Sequence, residues 1–150
     1  MAKRKLISEP ASFPDLSILG IASQLKDYRM AFFLNRDTHL NLANLDDIPI
    51  YFEKEDLLIK FPIYSCFEAD QRLYYYLIGN NFDRIKMIPE YKQADYLLFL
   101  KGQINNERLT SLISSIRTIK EIQLVFAIDK DKIKNLEGIM TDLEMHLVKK

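Results

Sequence analysis

The chain has 150 residues, 48% of them apolar and 28% charged, a balance that suits one globular domain with its own core and excludes a wholly disordered chain. Its 21 basic and 21 acidic residues cancel, and neither sign gathers in one segment, so bulk charge steers it toward no polyanion. A single cysteine, Cys66, rules out an internal disulfide and fits a reducing compartment, so a cytoplasmic location is expected.

Residues 1–12 are polar, carry Pro10 and read as a flexible tail, which leaves 13–150 as a single domain. The basic start Lys3-Arg4-Lys5 is followed by Leu6-Ile7 and then at once by Ser8, Glu9 and Pro10, so a secretion signal is not expected. No run approaches the ~18 apolar residues of a membrane span, and no membrane partner is expected. Residues 16–22 predict a buried strand, and Ser23 is placed to cap a helix from Gln24 to about Arg36. Asn35, at the end of that helix, carries an amide into the core. Residues 40–42 predict a brief strand, and the polar stretch 44–47 a turn.

The middle of the chain reads as β-structure. Ile48, Ile50 and Phe52 alternate with Pro49 and Tyr51, and Pro49, lacking an amide donor, belongs at a sheet edge. Leu57, Ile59, Phe61, Ile63 and Phe67 keep a period of two, with Lys60, Pro62, Tyr64 and Glu68 on the other face. Asp70-Gln71 then turns the chain into a strand over 73–78, which makes a hairpin. After a proline-bent segment at 88–90 comes a strand over 96–100. Leu109, Leu112, Ile113, Ile116 and Ile119 follow helical spacing behind an Asn105 or Asn106 cap. Ile122, Leu124, Phe126 and Ile128 restore alternation. Asp129 or Asp131 caps a last helix that carries Ile133, Leu136, Ile139, Met140, Leu143 and Leu147. This order predicts an α+β two-layer sandwich: about three helices on one face of a mainly antiparallel sheet of five to six strands.

Chemical motifs are sparse. The four glycines lie far apart, so no phosphate-cradling loop is present, and one cysteine with two distant histidines supplies no ordinary zinc site. No metal or other cofactor is expected. Asp46-Asp47 and Glu53-Glu55-Asp56 read as solvated turns. Cys66 sits in an apolar strand and reads as a small hydrophobe; His39 and His146 are its only conceivable bases. In the run Tyr74-Tyr75-Tyr76, a strand places Tyr74 and Tyr76 on one face, as a cross-strand aromatic cluster, a stacking platform or a protein contact. Arg29, Glu90 and Asp95 are candidates to meet across the fold as a carboxylate–arginine site.

The segment Ile88-Pro89-Glu90, three residues, then Ala94-Asp95-Tyr96 resembles the signature of the IPExxxVDY family of small bacterial proteins, with alanine in place of the usual valine. Leu19-Gly20-Ile21 and the stretch from Lys26 to Asn35 are similar to that family's N-terminal block, and the resemblance covers essentially the whole chain. It implies a bacterial origin and brings no mechanism, because the family's function is unassigned. The functional expectation is a protein-binding or adaptor domain, engaging a protein partner or a second copy, rather than an enzyme. The alternatives are an RNA-associated protein using Tyr74, Tyr76, Arg72 and Lys86, and a small-ligand binder or enzyme built on Arg29, Glu90 and Asp95.

Overall fold

A computed structural model describes residues 13–82 and 84–148. The expected tail over 1–12 lies outside these described residues. In chain order the elements are β1 (Leu16–Ser23), α1 (Asp27–Thr38), β2 (Ala43–Phe52), β3 (Leu57–Glu68), β4 (Leu73–Gly79), β5 (Asn81–Phe82), β6 (Ile85–Lys86), β7 (Tyr96–Lys101), α2 (Asn106–Arg117), β8 (Ile122–Ala127) and α3 (Leu136–Val148). The α+β class is as expected: three helices accompany a six-stranded antiparallel sheet of order β2-β3-β4-β7-β1-β8 and a small β5-β6 ribbon. No helix among the described residues is long and apolar enough to cross a membrane.

The layering differs from a two-layer sandwich. Met30, Phe33 and Leu34 of α1 and Leu112 and Ile116 of α2 pack with Leu19, Tyr75, Leu77 and Leu98 on one face of the sheet. Leu136, Ile139, Met140 and Leu143 of α3 pack with Ile18, Ile50, Phe61, Ile63 and Phe99 on the other. The cause is visible in β7, where Tyr96, Leu97, Leu98, Phe99 and Leu100 are all buried. A strand apolar at every position must be covered on both sides.

Pro49 lies in β2, which is an edge strand as its missing donor requires. Helix α1 starts three residues later than its spacing suggests, because Ser23 still belongs to β1. The Ser23 hydroxyl donates to the Glu121 carbonyl (2.9 Å) and accepts from the Leu25 amide (3.1 Å). Residues 40–42 form no strand. The Asn35 amide instead closes that turn from the side, donating to the Leu42 carbonyl (3.1 Å) and accepting its N–H (2.8 Å). The stretch 44–47 belongs to β2, where the register with β3 shifts between Leu45 and Ile48. Asn105 caps α2 by accepting from the Arg108 amide (2.7 Å).

One buried polar residue organises the segment 87–95. Asn80 is fully buried; its side chain accepts from the Ile88 amide (2.8 Å) and donates to the Ala94 carbonyl (2.8 Å). Its backbone bonds Met87 and Asp95 (both 2.9 Å). In this way the Pro89–Tyr91 3-10 turn is tied to the end of β4.

Candidate functional site

Sheet register brings the aromatic residues together. Phe67 of β3 stands opposite Tyr74 of β4, and Ser65 opposite Tyr76, all on the face that α3 covers. Tyr74 in turn faces Lys101 of β7, and Lys101 faces Leu16 of β1. The Phe67 and Tyr74 rings lie 4.5 Å apart between centroids, and the Tyr74 and Tyr76 rings are parallel to within 2° at 6.2 Å. Helix α3, described to Val148, lies across this face, and Phe67 and Tyr74 stay 51% and 45% exposed.

The result is a groove of about 530 Å³ whose floor is Ser65, Cys66, Phe67, Tyr74 and Tyr76. Its wall is Lys101, Glu144, Leu147 and Val148, with Lys101 paired to Glu144 at 3.3 Å. This volume falls within the range of roughly 300–1,000 Å³ typical of ligand sites. Tyr76 lines the groove but is only 4% exposed, and its hydroxyl has no hydrogen-bond partner among the described residues. Burial, and then the neighbouring Tyr74 and Glu144, push its pKa up to about 12. Burial also raises the Cys66 thiol, so both groups are neutral at physiological pH. Among the described residues the Tyr76 phenol is therefore a donor left open toward the groove.

The opposite side of the same strands is closed. Tyr75 donates to Glu68 (2.9 Å), and Arg108 of α2 reaches both Glu68 oxygens (3.2 and 3.0 Å) and the Tyr75 hydroxyl (3.2 Å). Burial first, then the Glu68 bond, raises the Tyr75 phenol above its usual range. Period-two alternation thus separates a satisfied tyrosine from two that face the groove.

The remaining candidates sit apart from the groove. Asp95 accepts from the Ser23 amide (2.8 Å) and lines a cleft of about 270 Å³ with Lys26, Asp27 and Tyr96. Arg29 is exposed on α1, its guanidinium 5.6 Å from the Phe33 ring, in a cleft that shares Gln24, Leu25 and Lys26 with the first. Glu90 is exposed on the 3-10 turn. Among the described residues no hydrogen bond or ion pair joins these three. Arg72 is exposed in the β3–β4 turn with φ 55°, and Lys86 is half-buried in β6. His39 is exposed behind α1, and His146 donates to the Asp46 carbonyl (2.7 Å), so neither is hydrogen-bonded to Cys66. No three His, Cys, Asp or Glu side chains among the described residues converge to hold a metal ion.

Sequence reasoning missed three residues of this picture. Lys101 and Glu144 meet only through the fold, and no local signal joins them. Asn80 reads as a polar strand terminator, although a polar residue directly after the apolar run 73–78 is a hint of a buried hydrogen-bond hub. No family model, curated protein or solved structure matches the chain.

Proposed function

We propose that the chain is a cytoplasmic, non-enzymatic protein-binding domain whose groove beside the end of α3 takes an apolar or aromatic side chain of a partner protein. The observation that carries this reading is the aromatic floor, with Phe67 and Tyr74 half-exposed beside α3 and the Tyr76 hydroxyl unpaired among the described residues. Tyrosine-rich surface around one unsatisfied donor is the composition of a contact that a partner completes. Binding rather than catalysis is favoured by the state of the groove's titratable groups. Its phenol, Tyr76, has a raised pKa, and the nearby Cys66 thiol, also raised, packs on the other face of the sheet with Tyr75, so neither is primed as a nucleophile or base near neutral pH. An RNA partner is less favoured, since Lys101 is the cation of the groove and already bonds Glu144.

We also place the chain with the bacterial IPExxxVDY proteins. Support comes from the resemblance of residues 88–96 and 26–35 to that family's two sequence blocks.

The test is selection of a displayed random-peptide library on the purified protein. Peptides with a shared aromatic or aliphatic anchor are expected, and Tyr74→Ser is expected to lower their affinity by about tenfold or more, the loss of one aromatic contact. Enrichment of no common anchor, or peptides that bind folded Tyr74→Ser equally well, would remove the proposal.

A further inference from the structure

The two edges of the main sheet are treated differently. On β2, Pro49 offers no donor, the register is broken between Leu45 and Ile48, and α3 side chains occupy the backbone. Asp142 accepts from the Tyr51 amide (3.2 Å), and His146 donates to the Asp46 carbonyl (2.7 Å). These are the devices by which a sheet edge is closed to strand addition. The β8 edge has few of them. Its sequence, Ile122-Gln123-Leu124-Val125-Phe126-Ala127, holds no charge and no proline, and its one irregularity lies at its start, where the register with β1 shifts.

Which backbone groups of β8 point outward follows from the ladder. Ile128 donates to the Ile18 carbonyl (2.9 Å), so from Leu124 to Ile128 the even-numbered residues face β1 and the odd-numbered ones face away. The outward group at Asp129 is already satisfied, its amide donating to the Tyr91 hydroxyl (3.0 Å). Val125 and Ala127 have no partner on that side among the described residues. Leu124, beside them, is 47% exposed.

From this we infer that the chain forms a two-fold dimer in which β8 pairs antiparallel with β8 of a second copy, joining the two six-stranded sheets. Outward groups must meet outward groups, and Asp129 is already occupied. A register with Val125 on the axis opposite its own mate meets both conditions, and it sets Leu124 of one copy beside Phe126 of the other on the face that α3 covers. Such pairing is self-complementary and closes after two copies, because the blocked β2 edge cannot extend it into a filament. Zero net charge removes repulsion between the copies. This contact is independent of the groove, so either can fail without the other.

The experiment is sedimentation analysis of the full chain together with amide hydrogen exchange followed by NMR. The expected mass is twice 17.7 kDa. The Val125 and Ala127 amides are expected to slow by about tenfold or more as concentration rises, the mark of a newly formed hydrogen bond. Leu124→Lys, an exposed change that puts a charge into the seam, is expected to give a folded monomer. A wild-type monomer at millimolar concentration overturns the inference. So does a dimer whose Val125 and Ala127 amides exchange freely, or one that folded Leu124→Lys leaves intact.

Discussion

Replacing Asn80 by alanine tests how the segment 87–95 is held. The carboxamide satisfies two buried backbone groups, the Ile88 N–H and the Ala94 carbonyl, each at 2.8 Å. Its third bond, to the Tyr91 carbonyl, is long at 3.4 Å, and that carbonyl also accepts from the Ala94 amide. Two groups are therefore orphaned. At about 1–3 kcal/mol for each buried unsatisfied group, Asn80→Ala is expected to cost about 2–6 kcal/mol. That is a large part of the roughly 5–15 kcal/mol that holds a domain together. Urea unfolding followed by circular dichroism reads this as a midpoint lowered by about 1–2 M. Asn80→Asp keeps the acceptor for Ile88 but turns an oxygen toward the Ala94 carbonyl. It should be at least as unstable at neutral pH and recover partly as acid protonates the new carboxylate, whose buried pKa would be raised. A loss below about 1 kcal/mol for Asn80→Ala would refute the reasoning, since the orphaned groups alone should exceed it.

Other consequences follow from neighbouring residues. Tyr76→Phe removes a hydroxyl unpaired among the described residues and is expected to leave stability unchanged or raise it by up to about 1 kcal/mol, whereas Tyr75→Phe removes the phenol's bonds to Glu68 and Arg108 and should cost about 1–2 kcal/mol in the same unfolding assay. Gly20→Ala is expected to destabilise by about 1–3 kcal/mol through overpacking, because a Cβ there would stand 2.5 Å from the Phe126 ring; the thermal midpoint measures it. Tyr64 and Tyr76 are both raised to about 12, chiefly by burial, so the folded state holds their protons more tightly than the unfolded chain. The stability this contributes is complete below about pH 10, the unfolded tyrosine value, and falls between there and about pH 12, which unfolding across an alkaline series detects. Cys66 should be alkylated more slowly in the native protein than in urea, because burial keeps its thiol protonated.

Much of the fold is written locally. Alternation marks β3, a short apolar run marks β4, Pro49 marks the edge, and Asn105 marks the start of α2, because each depends on residues within a few positions. The side of the sheet that α3 takes is not local. Its apolar stripe shows that one face is buried but not against which face of the sheet. The continuous apolar run of β7 carries that information, since it requires cover on both sides. In the groove, period two suffices to put Tyr74 and Tyr76 together, and it also separates them from Tyr75. That Phe67 and Tyr74 stay half-exposed depends on how α3 lies across the sheet, a matter of helix placement that no residue near them encodes. Two strand ends show the same limit. Leu57 and Phe67 continue the apolar alternation of Phe61 and Ile63, yet both are exposed because no helix reaches the ends of β3.

Binding at the groove is tested most directly by NMR perturbation mapping with a library-selected peptide. Tyr28 and Phe32 form a rival patch, exposed together on α1 on the far side of the sheet. The account predicts that shifts concentrate at residues 65–67, 74–76, 101 and 144–148, with the Tyr76 hydroxyl proton moving into slow exchange. Shifts centred on Tyr28 and Phe32, with the groove silent, would contradict it.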